Sequence, residues 1–283
     1  MQLVLLAAGH GRRFGGLKQL APVGPDGEAL IDYTALAAAE GGFDAAVLVV
    51  RAEIYADVAA HLRRHWPKSL PFEFILQHGA RGTAHALLAA RPAISGPIAL
   101  ANADDLYTLA ALAALREALA LEAGPQGEGR HLLVGYHLDR TVLSGEAVSR
   151  GLCEITASGE LLGLHEHGIT RRGDGSYNAR RLNEEHSTRR LEGREWVSMN
   201  LWGFLPTLFP ELEAAVARAA PERAEVLLPE VIDDLLRNQR VRVALIETEE
   251  HCIGLTHRAD LALVRTALAG ASPGELVRAL RGP

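Results

Sequence analysis

Over its first 120 residues the chain alternates short, mostly apolar runs with longer alanine-rich or amphipathic stretches, and this alternation limits its fold more than any other feature. The runs are residues 2–8, 44–50, 72–77 and 97–101. The first two read as buried strands and the other two as strands. Between them lie residues 29–41, 53–65, 83–91 and 108–121, each long enough for a helix. The first ends at Gly41-Gly42 and the second before Pro67, as helix-stop chemistry requires. A helix between two strands returns the chain across one face of a sheet, so the strands run parallel. The expectation is an α/β fold of three layers around a mixed, mostly parallel central sheet.

Past residue 130 the texture changes. Residues 131–138, 149–164, 195–205 and 241–247 read as strands, the second as a hairpin turning at Ser158-Gly159. Residues 207–219, 226–238, 257–269 and 273–281 read as helices. Residues 168–195 are polar, with arginine pairs at 171–172, 180–181 and 189–190. They read as an excursion from the sheet, either a solvated hairpin or a lid that helps to hold phosphates. No Pro/Gly/Ser-rich linker separates these parts, so residues 1–283 are expected to form a single domain.

Composition removes several classes of function. The formal charge of −6 offers no basic field for nucleic acid. Cys153 and Cys252 are the two cysteines, too few and too far apart for a disulfide framework or a thiolate metal site. No apolar run approaches the roughly 18 residues of a membrane span, and no leader is evident, so the expected address is the cytoplasm. Of the 29 cationic side chains only Lys18 and Lys68 are lysine. A lysine retained in such a chain is a candidate for chemistry that arginine cannot perform.

Lys18 closes the first motif, Leu6-Ala7-Ala8-Gly9-His10-Gly11-Arg12-Arg13-Phe14-Gly15-Gly16-Leu17-Lys18, directly after the first strand. Small residues let backbone N–H groups approach an anion, and Arg13 and Lys18 add charge to the same loop. Phe14 stands where a dinucleotide-binding fold has its third glycine, and the spacing is not that of a Walker A loop. The second motif, Gln77-His78-Gly79-Ala80-Arg81-Gly82-Thr83-Ala84-His85-Ala86, joins the third strand to a helix that Thr83 can cap. The third, Asn102-Ala103-Asp104-Asp105, follows the fourth strand. A carboxylate at the carboxyl end of such a strand is well placed for a ligand.

Together these strings resemble the sugar-1-phosphate nucleotidyltransferases, above all the uridylyltransferases that act on N-acetylglucosamine 1-phosphate. The resemblance runs from residue 3 to about 265. It implies a Rossmann-like GT-A-type fold with a nucleotide-binding half over residues 1–125, an acceptor-binding half over 126–255 and C-terminal helices over 256–283. It implies that Leu6, Ala7, Ala8, Gly9 and Gly11 cradle a nucleoside triphosphate, that Arg13 and Lys18 neutralise it, and that Gln77, Gly82 and Thr83 read a pyrimidine base. Ala80 stands where the family has a second glutamine. Asp104 matches the aspartate that holds Mg²⁺, a hard cation that takes protein carboxylates together with phosphate oxygens.

Three looser segments extend the resemblance. Gly151, Glu166 and Asn200 match residues that hold the sugar. Gly254-Leu255-Thr256-His257-Arg258 matches a stretch whose asparagine is the second metal ligand, and here Thr256 occupies that place. Helix entry, with Thr256 as N-cap, is the competing reading, and His257 or Asp260 could serve the metal instead. The expected partners are an NTP and a phosphorylated small molecule, with UMP or dTMP transferred to a sugar 1-phosphate. The short step from Arg13 to Lys18 also resembles cytidylyltransferases of alcohol phosphates or phosphonates. Thr256 leaves room for a catalytically silent, nucleotide-binding regulatory subunit. The chain is expected to act as a monomer or homo-oligomer.

Overall fold

A computed structural model describes residues 1–9, 14–79, 81–142, 147–182, 188–219, 225–268, 270 and 272–274. Four strands build the first half of the sheet: β1 (Gln2–Leu6), β2 (Ala45–Val50), β3 (Phe72–Leu76) and β4 (Ile98–Asn102). They pair in parallel in the order β3-β2-β1-β4. The chain builds outward from β1 to β3 and then returns to the other side of β1. That reversal opens a crevice beyond the carboxyl ends of β1 and β4, the place where open α/β sheets bind ligands.

The crossover helices are α1 (Leu30–Glu40), α2 (Ala52–His65), α3 (Thr83–Ala90) and, after β4, α4 (Leu109–Glu122). Strand residues alternate between two cores. Leu3, Leu5, Ala46, Leu48 and Val50 face one layer, with α1, α2 and α4. Val4, Leu6, Val47 and Val49 face the other, with α3. Burial on both faces explains why β1, β2 and β4 read as apolar runs, while β3, at the edge of the sheet, keeps Glu73 and Leu76 exposed. Asp32 strengthens the start of α1, where its carboxylate accepts the Ala29 N–H at 2.7 Å and meets His61 of α2 at 2.7 Å.

The second half is mainly antiparallel. Its strands are β6 (His131–His137), β7 (Val148–Ile155), β8 (Leu161–Arg171), β9 (Tyr177–Arg181), β10 (Thr188–Leu191), β11 (Trp196–Phe204) and β12 (Val243–Thr248). A two-residue strand, β5 (Asp105–Leu106), precedes them in the chain and pairs with β13 (Ile253–Gly254) in a separate small sheet. The main sheet has eleven strands, ordered β10-β9-β8-β7-β11-β4-β1-β2-β3, with β6 on β11 and β12 parallel to β6. Helices α5 (Leu208–Arg218) and α6 (Leu228–Arg237) join the α3 layer, while α7 (Asp260–Ala267) packs on a small cluster with Phe14, Tyr33 and Leu106.

Residues 168–195 do not leave the sheet as the sequence suggested. Their described part completes β8 and forms β9 and β10, the outer edge of the same sheet. Ile169, Tyr177, Ala179 and Leu191 are buried in the core. Arginines on the alternate, solvent-facing positions disguised this strand pattern. The expected helix over 273–281 falls largely outside the described residues. Among the described residues no helix is long and apolar enough to cross a membrane.

Asp233 ties α6 to the sheet. Its buried carboxylate accepts the Leu164 N–H at 3.0 Å and pairs with Arg237 at 2.9 Å. Replacing it with Ala leaves the Leu164 N–H without its acceptor. Asp233→Ala is expected to destabilise the protein by about 1–3 kcal/mol in chemical denaturation, while Arg237→Ala, which removes only the exposed partner, costs less.

Candidate active site

The site begins where β11 loses its neighbour. One edge of β11 pairs with β6. The other edge is shared, with β7 opposite Val197 and Ser198 and β4 opposite Trp202 to Phe204. Between these two pairings β4 and β7 diverge, and the register of β11 shifts between Ser198 and Trp202. Asn200 lies in the gap at φ +58°, a left-handed conformation that Asn tolerates better than most residues. The bulge is held by local bonds. The Asn200 N–H reaches Ser198 Oγ at 3.1 Å, and the Trp202 indole N–H reaches Asn200 Oδ1 at 3.3 Å.

Opposite this gap, β4 ends in the Asn102–Asp105 turn. Tyr107, fully buried, donates its hydroxyl proton to the Met199 carbonyl at 2.6 Å and accepts the Asn102 N–H at 3.2 Å. One phenol therefore joins the carboxyl end of β4 to the bulge of β11. The Asn102 amide holds Asp105 Oδ2 at 2.9 Å. Burial pushes the Asp105 carboxyl up to about 6, with Asp104 adding to the rise and the Asn102 bond opposing it. Asp104 is the more accessible of the two and pairs with Lys18. Lys18 opens a single 3-10 turn, Lys18–Leu20, whose next residue, Gln19, is buried. Gln19 Nε2 donates to the Ala7 carbonyl at 3.1 Å and Arg51 Nε to the Ala8 carbonyl at 2.7 Å. These two side chains anchor the end of the glycine loop from behind. Neither was singled out from sequence; the Lys-Gln-Leu string was the signal for Gln19, and Arg51 carried none.

A cavity of ≈ 190 Å³ gathers Lys18, Asp104, Gly151, Glu166, Asn200 and Thr256. Six residues chosen from distant parts of the sequence thus converge. Gly151 and Glu166 are direct partners across β7 and β8. A Cβ at Gly151 would stand 2.8 Å from Leu164 Cδ1 and 3.5 Å from Glu166 Oε1, so a larger residue here would have to displace Leu164. Glu166 accepts the Ser149 hydroxyl at 3.0 Å. Burial raises its carboxyl above the usual carboxylate range, while the Ser149 bond and the Arg150 charge oppose the rise. Gly11 and Arg13 lie outside the described residues.

Thr256 arrives beside Asp104 because β13 pairs with β5 and the Leu255 N–H donates to the Asp104 carbonyl at 3.2 Å. The backbone N–H groups of Thr256 and His257 both donate to Asp260, at 2.9 and 2.7 Å. The acid rather than the threonine therefore organises this helix entry, and Asp260 is occupied there. Gly254 is also fixed, since a Cβ would stand 2.2 Å from Asp105 Oδ1.

Gln77, Gly82 and Thr83 are not among the residues that line this cavity. They follow β3, on the same carboxyl edge of the sheet. Gln77 is buried, not a surface amide. Its Nε2 faces the Gly82 carbonyl at 3.1 Å and His85 Nδ1 at 3.4 Å, which leaves Oε1 as the group open to a ligand. Gly82, at φ +87°, packs so closely that a Cβ would stand 2.4 Å from the Val226 carbonyl oxygen. Thr83 does not cap α3. Gly82 is the cap residue, and Thr83 Oγ1 instead accepts the first N–H of α6, from Leu228, at 2.8 Å. The hydroxyl was thus drawn to a helix distant in sequence, which local motif reading could not anticipate.

The donor set fits a hard cation that brings its own ligands. Among the described residues no group of three or more His, Cys, Asp or Glu could enclose a metal. Asp104 offers one accessible carboxylate and Thr256 a neutral oxygen beside it. Mg²⁺ commonly binds through one or two carboxylates and completes its shell with phosphates and water.

Comparison with known proteins agrees with this architecture. The chain is 28% identical over 268 residues to the bifunctional protein GlmU of Agrobacterium fabrum, covering 92% of this chain and 51% of that protein. It therefore spans about half the length of this relative. Three solved structures share the fold. The putative glucose-1-phosphate thymidylyltransferase of Bacillus anthracis matches at a TM-score of 0.69 and 13% identity, covering 98% of this chain and 99% of that one. The inositol-1-phosphate CTP transferase of T. maritima matches at 0.64 and 14%, covering 95% and 97%. A UDP-glucose pyrophosphorylase complexed with UDP-glucose matches at 0.63 and 17%, covering 95% and 98%. The description of MobA-like NTP transferase domains matches residues 3–160. More than half of the chain is thereby accounted for, and the protein belongs to the MobA-like NTP transferase domain family, a nucleotidyltransferase by membership.

Proposed function

We propose that the protein transfers a nucleoside monophosphate from an NTP to the phosphate of a sugar 1-phosphate and releases pyrophosphate. The observation that carries this reading is the single cavity in which Lys18 and Asp104, from the nucleotide side, meet Gly151, Glu166 and Asn200, from the acceptor side. An oxygen of the acceptor phosphate attacks the α-phosphorus, a new P–O bond forms, and the bond from the α-phosphorus to the β-bridging oxygen breaks. A phosphate monoester is already anionic near neutral pH, so no strong base is required. The protein's task is to position two anions and balance their charge.

Each residue then has a role. Gly9 and Gly11 let the loop approach the triphosphate, and Arg13 and Lys18 neutralise it. Glu166 and Asn200 take hydroxyls of the acceptor, the carboxylate as acceptor and the amide as both donor and acceptor. Gln77 Oε1 suits an N–H on a base edge, such as the imide of uracil or thymine, which favours UTP or dTTP. Asp104 holds Mg²⁺, with Thr256 beside it. When bound, the cation supplies Lewis-acid polarisation of phosphate oxygens. Lys18 rests on Asp104 in this structure, and a triphosphate would draw it away and leave the carboxylate for the cation. The reading requires only soluble substrates, in keeping with a cytoplasmic address.

The direct test is pyrophosphate release across a grid of NTPs and phosphorylated acceptors with Mg²⁺, CTP with alcohol phosphates included. Turnover with at least one pair is expected; a folded sample silent with every pair contradicts the reading and favours a regulatory subunit. Lys18→Ala and Asp104→Ala should each lower kcat by roughly 10²-fold or more, as loss of a preorganised electrostatic group does. Lys18→Arg should remain well below wild type, because a planar guanidinium cannot take the place of a compact ammonium. Free Mn²⁺, followed by its paramagnetic resonance, should bind Lys18→Gln more tightly than wild type without nucleotide. Equal or weaker binding argues against the exchange of Lys18 for metal. Gly82→Ala should weaken NTP binding by distorting the contact with Val226, with little change in the Km for the acceptor.

A further inference from the structure

The cavity holds a second cation with no role in the account above. Arg150 lies on β7 between Ser149, which supports Glu166, and Gly151. It is buried beside the core that contains Tyr107 and Cys252, yet it lines the same cavity as Lys18 and Asp104. Three of its N–H groups are engaged. Nε donates to Thr141 Oγ1 at 3.2 Å, Nη2 to the Thr141 carbonyl at 2.6 Å and Nη1 to the Ser149 carbonyl at 2.8 Å. All three acceptors are uncharged. No ion pair among the described residues includes Arg150.

A guanidinium carries five donors, so two of its N–H groups remain. An interior cation whose direct partners are all neutral is costly unless an anion completes it. Asp105 and Glu166 act on it through space, and burial still depresses its affinity for the proton. On the acceptor side, Gly151, Glu166 and Asn200 suit hydroxyls, and none of them is a cation. His167, next to Glu166, commits its Nδ1 to the His165 carbonyl at 2.7 Å. Yet the acceptor proposed above brings a phosphate monoester with roughly −1.5 to −2 charge at neutral pH. Lys18 neutralises the triphosphate and cannot serve both anions fully.

We propose that Arg150 is the binding residue for the phosphate of the acceptor, its two remaining N–H groups holding the oxygens that flank the attacking one. The assignment rests on the nucleotidyl-transfer reading but names a group that reading leaves unsupplied. Thr141 and the Ser149 carbonyl act as the fixed bracket that aims the guanidinium. The planar fork of arginine matches two phosphate oxygens at once, which lysine cannot do. The ligand class is a phosphate or phosphonate monoester, whatever organic group it carries.

Binding of two base-free probes separates this site from the triphosphate loop. Orthophosphate stands for the acceptor anion and tripolyphosphate for the triphosphate, each followed by ³¹P line broadening with Mg²⁺ present. Arg150→Gln is expected to lose at least tenfold in orthophosphate affinity and to keep tripolyphosphate affinity within about twofold. Lys18→Gln should show the reverse order of losses. Arg150→Lys, which keeps the charge without the fork, should lose three- to tenfold for orthophosphate alone. Unchanged orthophosphate binding in Arg150→Gln overturns the assignment, as does an equal loss of both probes or a wild type that does not bind orthophosphate at 20 mM. If Arg150→Gln lacks a cooperative thermal transition, Arg150→Lys decides by the same criteria. Failure of nucleotidyl transfer would appear instead as silence in the pyrophosphate-release grid, with the two binding profiles intact.

Discussion

The divergence of β4 and β7 along one edge of β11 is the constraint on which the rest of this molecule depends. A strand that loses its neighbour leaves backbone groups to be satisfied in some other way. Here Tyr107 takes the Met199 carbonyl and Ser198 takes the Asn200 N–H. Asn200 accepts a left-handed backbone, a conformation that costs about 1–3 kcal/mol and persists only where the surroundings enforce it. The result is a notch in the middle of a sheet. One wall comes from the carboxyl end of β4 and the other from β7 and β8.

That notch concentrates charge. Lys18 and Arg150 share its lining with Asp104, Asp105 and Glu166. Burial raises the carboxyls of Asp105 and Glu166, and Arg150 pulls both the other way, with Lys18 adding its pull on Asp105. Under the proposed function, a cation and two anionic substrates would replace these interior pairings with substrate pairings.

Much of this was legible before any coordinates. The parallel half of the sheet was readable because the strands buried on both faces, β1, β2 and β4, leave apolar runs, with helical stretches between the strands. Lys18 and Asp104 were singled out by their motifs and by the resemblance, and they meet because those motifs follow β1 and β4, which are neighbours in the sheet. Residues 168–195 were misread because half of their positions face solvent, where arginine hid the alternation of Ile169, Tyr177 and Ala179. Thr83 was misread because its partner, the Leu228 N–H, is distant in sequence. Gln19, Arg51 and Arg150 act through contacts with carbonyl oxygens, which leave no spacing rule in the sequence. Asn200 was identified by resemblance, while its backbone conformation came only from the way β11 is shared between two neighbours.

The measurement that bears most directly on the account is the reverse reaction. A panel of nucleotide sugars, UDP- and dTDP-linked first, is incubated with the protein, Mg²⁺ and ³²P-labelled pyrophosphate. If the notch joins an NTP to a phosphorylated acceptor by direct transfer, label enters NTP for at least one member of the panel, and Asp104→Ala abolishes the exchange. Absence of labelled NTP with every nucleotide sugar, in a sample that binds nucleotide, contradicts the account.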